Sequence, residues 1–196
     1  TTMKSKTTRY ALIIGAVLAI GTALFLAGCD FFSSGSSSSG TSTTQEPPGL
    51  PPDPGPAGKE TLGGIITNPY GVRDDTYRYI AINHQDSEKV REALFQYTRV
   101  IQNALLDASD KQKSVTHGQE VSKALECLTY VLGNDLAAAR MSESMGNDLQ
   151  PIIVNTDPRD KAYFAYDKQL GGQHFPGTPD SQIASACTFD PSTLPN

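Results

Sequence analysis

The side chains able to do acid–base or metal chemistry are few and widely spaced in this chain of 196 residues. The three histidines, His84, His117 and His174, stand far apart, and no HExxH, CxxC or paired-histidine spacing occurs, so a zinc site is unsupported. No GxSxG elbow, EF-hand loop or phosphate-binding glycine loop is present either. The sequence therefore predicts no catalytic residue, no metal and no cofactor, although a site assembled across a fold leaves no local motif.

Two pairs of acidic residues, Asp74/Asp75 and Asp157/Asp160, have the side chains that a glycosidase or a cation site would use. Asp157 and Asp160 flank a predicted helix start, where negative charge meets the positive end of the helix dipole. Asp74 and Asp75 lie beside Arg73 in a predicted turn. We therefore interpret both pairs as capping or solvated residues.

An aromatic helix and the loop after it are the one feature that suggests binding. In the segment 161–170 (KAYFAYDKQL), Tyr163 and Tyr166 fall on one helical face. A helix this aromatic either lies in the core, which the pattern favours, or presents tyrosines to a partner. The glycine-rich loop that follows carries His174 and Phe175 and is expected to be adaptable. These four residues form the candidate partner-binding surface.

The elements that must position these residues are predicted to be mostly helical. Apolar residues recur at three- and four-residue steps between punctuating caps, prolines and glycines. They predict helices over about 87–108, 118–132, 135–145, 157–170 and, more briefly, 178–187. A partly alternating, Tyr- and Ile-rich stretch at 75–83 predicts a short strand or extended segment. We expect a small helical bundle or orthogonal array of four to five helices.

The N-terminal part has the layout of an export signal. Lys4, Lys6 and Arg9 form a basic region, and an uncharged apolar run follows over 11–28. Such a run is long enough to span a bilayer, but small residues at its end are typical of a signal-peptidase site. Here the small residues stand directly before Cys29.

The motif Leu26-Ala27-Gly28-Cys29 resembles the lipobox of bacterial lipoproteins, and the resemblance covers residues 3–29 only. It implies cleavage before Cys29, a diacylglyceryl and N-acyl lipid on its sulfur and amino group, and a domain in the periplasm or at the cell exterior. Asp30 resembles an inner-membrane retention signal of enteric lipoproteins, although Phe31 is not its usual companion, so the choice of membrane stays open. The alternative is an uncleaved membrane span, which leaves the domain on the same side.

We accordingly divide the chain into a lipoprotein signal peptide (1–28), a lipidated cysteine with a disordered tether (29–59) and a helical exported domain (60–196). Residues 33–58 are almost entirely Ser, Thr, Gly and Pro, a composition typical of a spacer. Its Pro48-Gly49-Leu50-Pro51 fits a PxxP ligand frame, the less favoured interpretation.

With Cys29 expected to carry the lipid, Cys127 and Cys187 are the two cysteines left to form a disulfide. Two cysteines in an exported domain most often form one disulfide, which would join the second helix to the C-terminal segment. The alternative is a buried free Cys127 with an exposed Cys187.

The charge narrows the class of partner. The formal net charge is −5, and the first 28 residues carry no acidic residue, so the exported part is more acidic still and a nucleic-acid partner is disfavoured. We predict a non-catalytic, lipid-anchored envelope protein that binds a protein partner in an assembly, accessory or immunity-type role. The rival predictions are an envelope hydrolase acting on peptidoglycan and a carrier that encloses a small ligand or lipid.

Overall fold

Five α-helices make up most of residues 46–196, the part of the chain that the computed structural model describes. They are α1 (Asp74–Asn83), α2 (Glu88–Leu106), α3 (Lys111–Val131), α4 (Leu136–Ile153) and α5 (Asp157–Gln169). Three 3₁₀ helices cover Gly55–Lys59, Asp180–Ala186 and Pro191–Thr193. No strand occurs within the described residues, so the predicted mostly helical class is confirmed.

Polar side chains begin the four longer helices. Ser87 accepts a hydrogen bond from the Val90 amide at the start of α2, and Thr156 accepts one from the Arg159 amide at the start of α5. Asp110 and Asp135 do the same for α3 and α4. Such caps satisfy backbone amides that the helix itself leaves unpaired.

The prediction of an extended segment at 75–83 is wrong, because these residues form α1. Thr76 and Ile80 lie about one helical turn apart and are both fully buried, so they share the face of α1 that packs into the domain. Asp74 and Asp75 occupy the first turn, where their charge favours the helix. The alternation of aromatic and aliphatic residues reflects packing on α2 rather than a sheet.

Three other helix boundaries differ from the sequence prediction. The helix expected from 118 begins at Lys111, and the helix expected to end before Gly146 continues to Ile153. Both glycines lie inside helices at close contacts with neighbouring side chains rather than at helix ends. The predicted last helix is a 3₁₀ helix, Asp180–Ala186.

Helix α2 lies at the centre of the domain, and its largest interface is with α3. The main core combines its apolar residues with those of α1, α3 and α4 and of two flanking segments: Val72, Ile80, Val90, Ala93, Leu94, Phe95, Tyr97, Ile101, Leu105, Ala124, Cys127, Leu128, Leu149, Ile153 and Ala186. The predicted disulfide is confirmed: Cys127 on α3 is bonded to Cys187, with sulfur atoms 2.05 Å apart. It joins the C-terminal segment to the core.

Two buried glutamines of α2 form hydrogen bonds with the backbone of segments that lie outside the α-helices. The Gln96 amide donates to the Ala186 carbonyl and accepts from the Thr188 amide, both at 2.9 Å. Gln102 likewise accepts from the Arg73 amide at 2.8 Å and donates to the Gly71 carbonyl at 3.2 Å. Each glutamine therefore satisfies two backbone groups that would otherwise be buried without partners.

The folded part begins earlier than residue 60. Pro51 is buried, and Arg78 on α1 donates to its carbonyl oxygen at 2.7 Å. The Arg78 guanidinium also pairs with Glu46. We call residues 46–51 the proline strap, since this part of the predicted tether lies against α1. The predicted signal peptide, the predicted lipidation site Cys29 and residues 30–45 of the predicted tether lie outside the described residues.

The segment after the proline strap is fastened by Arg159 of α5, which has no exposed surface. Its guanidinium donates to the carbonyl oxygens of Gly58 and Thr61 at 2.7 Å each and of Leu62 at 3.1 Å. The Asn155 side chain accepts a further bond at 2.6 Å. One buried cation thus replaces the hydrogen bonds that water would give to an irregular segment.

Arg73, exposed by only 1%, joins the same network from the start of α1. It donates to the carbonyl oxygens of Ile152 and Ile153 at the end of α4, at 2.9 and 2.7 Å, and makes a bidentate pair with Asp75. We call Arg73, Arg159, Asp75 and Asn155 the arginine network.

No helix within the described residues is long and apolar enough to cross a membrane.

Candidate functional site

The four residues of the predicted partner-binding surface lie in different environments. Tyr166 is only 3% exposed and packs with Ala104 and Ala108 in a small second core cluster. Burial raises the pKa of Tyr166, as expected for a phenol within the protein. Tyr166 is thus part of the core and cannot meet a partner on the folded surface. Tyr163 is half-buried beside it, with ring centroids 6.1 Å apart.

Phe175 is held against α3 by a notch at Gly118. A Cβ atom at Gly118 would come within 2.5 Å of the Phe175 ring and 3.0 Å of the Leu170 side chain, so only glycine leaves room for both. Gly118 is buried inside α3, where glycine otherwise lowers helix stability by about 1 kcal/mol relative to alanine. The cost to the helix is offset by the packing of a distant aromatic ring.

Two further contacts pin the loop after α5. Gln119 donates to the Pro176 carbonyl at 3.3 Å, and both carboxylate oxygens of Glu126 accept from the Thr178 amide, at 3.2 and 3.1 Å. The sequence predicts an adaptable loop here, but the structure fixes it to α3 at these positions and at Phe175. The loop therefore presents a preformed surface.

An open cleft of about 430 Å³ lies between this loop and α3. Gln173, His174 and Phe175 form one wall. The other wall comes from five residues of α3: Val115, Thr116, Gln119, Glu120 and Lys123. We call it the α3 cleft. His174 is exposed at its edge, so both polar and apolar groups are available to a bound segment.

A second opening, of about 360 Å³, shares Glu120 and Lys123 with the α3 cleft. Its other walls are α2, through residues such as Arg99 and Val100, and the segment 185–188 next to the disulfide. Arg99 donates to the Tyr70 carbonyl at 3.1 Å. The two openings are thus neighbours on α3.

The histidines do not converge on a catalytic arrangement. The two ring nitrogens of His117 lie 3.1 Å from an Asp107 oxygen and 2.9 Å from a Glu120 oxygen, so each already faces a carboxylate. Burial lowers the pKa of His84, whose ring is half-buried elsewhere. His174 is exposed on its loop. Within residues 46–196 no histidine nitrogen bonds a serine, threonine or cysteine side chain.

Asp157 and Asp160 lie in the first turn of α5, as the sequence predicts, and Asp74 and Asp75 stabilise the start of α1. The buried Asp74 accepts hydrogen bonds from the Thr67 amide and hydroxyl, at 2.9 and 2.8 Å, and from Asn68 at 2.9 Å. Burial raises the pKa of Asp75, but Arg73, with smaller contributions from neighbouring donors, outweighs this and holds the pKa below its usual 3.8. No cluster of three or more metal-ligating side chains occurs in the described residues.

A separate cleft of about 280 Å³ lies on the other side of α2 and has no counterpart in the sequence prediction. It is lined by aromatic residues from three elements, by the proline strap and by two glutamates of α2. We call it the aromatic cleft. No sequence motif marks it, because its walls are distant along the chain.

Comparison with protein-family models, with curated proteins and with solved structures finds no match to this chain.

Proposed function

We propose that the chain is a lipid-anchored protein of the bacterial cell envelope whose helical domain binds a protein partner at the α3 cleft. The lipid anchor rests on the sequence, through the basic region, the apolar run and the lipobox-like motif that ends at Cys29. The proposed location is the periplasm or the cell exterior, with an assembly, accessory or immunity-type role.

The observation that carries the proposal is the fixed geometry of the loop beside α3. Phe175 sits in the Gly118 notch, and Gln119 and Glu126 hold the loop backbone. A surface that is ordered before binding avoids the entropic cost of ordering when the partner arrives. His174 stands exposed at the edge of this ordered surface, where a partner can reach it.

The mixture of groups in the cleft suits a polypeptide better than a purely apolar ligand. Val115 and Phe175 supply apolar surface, while Glu120, Lys123 and His174 supply charge and hydrogen-bonding capacity. Protein interfaces combine an apolar centre with a polar rim in this way. Because the cleft is open to solvent, a partner segment can enter it without unfolding the domain.

Site-specific photo-crosslinking in living cells of the source organism tests the proposal. A photoactivatable residue replaces His174 in the full chain, and a second version carries it at Ser144, an exposed position on α4. We expect one dominant crosslinked protein from position 174 and none from position 144. Crosslinks of equal yield and pattern from both positions, or none from 174, would refute partner binding at this cleft.

Two variants connect the crosslink to the cleft and to the anchor. Gly118→Ala places a Cβ 2.5 Å from the Phe175 ring, so we expect it to displace the loop and abolish the crosslink. If Gly118→Ala lowers the amount of protein, Phe175→Ala empties the same notch at a half-exposed position and should give the same loss. An alkyne-bearing fatty acid supplied to the cells should label the parent chain and not Cys29→Ser. Equal labelling of the two chains would contradict lipid anchoring at Cys29.

A further inference from the structure

The aromatic cleft has a rigid apolar wall built from three stacked rings. Tyr70 precedes α1, Tyr77 lies on α1 and Phe95 lies on α2. The Tyr77 and Phe95 ring centroids are 4.9 Å apart with planes 7° from parallel, and Tyr70 lies 4.6 Å from Phe95. Phe95 is buried, while both tyrosines retain exposed surface. The wall is therefore apolar, fixed and accessible.

Two glutamates one turn apart on α2, Glu88 and Glu92, line the cleft beside this wall. Within residues 46–196, neither carboxylate has a basic nitrogen within 4.0 Å. Arg91 also lines the cleft, but its guanidinium bonds the carbonyl oxygens of His84 and Gln85 rather than either carboxylate. The cleft thus holds two half-buried acidic groups and one cation that does not pair with them.

The surroundings of Glu92 disfavour the charged form of its carboxylate. Burial is the largest influence and raises the pKa of Glu92 above its ordinary value, and the charge of Glu88 raises it too, while the Tyr70 hydroxyl and the charges of Arg99 and Arg91 lower it only in part. A carboxylate with a raised pKa gains more from a nearby cation than one that is already paired. The ligand that complements the cleft therefore carries positive charge.

The proline strap closes one end of the cleft and limits what enters. Pro47, Pro48 and Leu50 line this end, and the contact of Arg78 with the Pro51 carbonyl holds the strap in place. The remaining volume of about 280 Å³ is near the lower limit for a small-molecule site. It suits a single side chain rather than a large molecule, and the apolar walls favour a long aliphatic stem.

We propose that the aromatic cleft binds a lysine side chain presented by a polypeptide, with the aliphatic stem against the tyrosines and Leu50 and the ammonium group between Glu88 and Glu92. Aromatic walls combined with carboxylates are a recognised way to hold an organic cation. The lining residues of this cleft and of the α3 cleft do not overlap. This site is therefore independent of the proposed function.

Titration of the full chain with a lysine analogue tests the proposal. The protein, purified in a neutral detergent and carrying ¹³C-labelled Tyr and Phe, is titrated with Nα-acetyl-lysine methylamide and followed by NMR. We expect saturable shifts of the Tyr70, Tyr77 and Phe95 rings. Nα-acetyl-norleucine methylamide, which has a similar aliphatic chain but no charge, should give no saturable shift of these rings.

The variant Glu88→Gln/Glu92→Gln keeps the shape of the cleft and removes its charge. We expect it to weaken lysine binding at least about tenfold, the loss that a contribution of about 1.4 kcal/mol would produce. Glu143→Gln, at an exposed position on α4, serves as the matched control and should bind as the unaltered chain does. If the double variant does not fold, Glu88→Gln alone should still weaken binding.

Two further outcomes would overturn the proposal. Equal binding of the lysine and norleucine analogues would show that charge plays no part, and unchanged affinity in the folded double variant would place the ligand elsewhere. Binding should also weaken as the pH falls through the pKa of Glu92, because the protonated acid no longer attracts the ammonium group. Affinity that does not change over that range would contradict the role of this carboxylate.

Discussion

Replacing Arg159 by methionine should destabilise the domain more than any surface substitution. Arg159 has no exposed surface, and it bonds three backbone carbonyls of the segment 58–62 as well as the Asn155 side chain. Methionine fills much of the same volume but donates no hydrogen bond. The carbonyl oxygen of Gly58 would then be buried without a donor, and the partly buried carbonyl oxygens of Thr61 and Leu62 would lose theirs.

The size of the effect follows from these contacts. A buried carbonyl that loses its donor costs about 1–3 kcal/mol, and removal of a buried cation recovers part of the cost of desolvating it. Burial lowers the pKa of Arg159, and the like charge of Arg73 lowers it further, as expected for a desolvated cation. For three carbonyls we expect a net loss of about 3–5 kcal/mol in the free energy of unfolding. Such a loss is a large part of the usual 5–15 kcal/mol total.

Urea unfolding of the oxidised protein, followed by far-UV circular dichroism, measures the total loss. Amide hydrogen exchange at residues 58–64 shows where it occurs, and these amides should exchange faster in Arg159→Met than in the parent chain. Arg159→Lys keeps a cation with fewer donors and should lose less. Lys161→Met, on an exposed position of α5, should change stability by under about 0.5 kcal/mol. A loss under about 1 kcal/mol in Arg159→Met, with unchanged exchange at 58–64, would refute the structural role assigned to this arginine.

Two further predictions concern the disulfide and Asp75. The disulfide joins cysteines that are 60 residues apart in sequence, so Cys187→Ser should lower the free energy of unfolding by up to about 4 kcal/mol. Thermal unfolding of this variant should match that of the reduced parent chain. A variant as stable as the oxidised parent would contradict the prediction. The folded-state pKa of Asp75 lies below its ordinary value, so its contribution to stability is fully present above the unfolded-state pKa of about 3.9 and is lost as the pH falls through the folded value. Urea unfolding should therefore show a lower free energy of unfolding for Asp75→Asn than for the parent chain at neutral pH, and this difference should shrink below about pH 4. A difference that stays constant with pH would count against the pairing of Asp75 with Arg73.

The helices were predictable where local signals agree with the tertiary fold. Ser87 and Thr156 combine capping side chains with helical periodicity, and the structure begins α2 and α5 beside them. The prediction failed where a residue serves a distant partner. Gly118 has the local signature of a helix boundary, but the Phe175 ring, 57 positions away, determines its place inside α3. The segment 75–83 alternates as a strand would, although its contacts with α2 make it helical.

The candidate sites were predictable only in part, for the same reason. The aromatic helix pointed to Tyr163 and Tyr166, but periodicity cannot tell a tyrosine that packs on Ala104 from one that faces solvent. The aromatic cleft brings together Tyr70, Tyr77 and Phe95, which share no motif. Their stacking depends on how α1 crosses α2, a property of the folded chain rather than of any local stretch.

The arginine contacts also determine how the domain would respond to mechanical force. In the proposed anchored form, a pull from the membrane reaches the described part of the chain at residue 46. It meets the Arg78 contacts with Glu46 and Pro51 first and the Arg159 contacts with residues 58–62 only after that. Detachment of residues 46–57 alone would lengthen the connection by about 40 Å while the helices and the disulfide stay intact. The proline strap can therefore act as an extensible link that absorbs tension before the core is loaded.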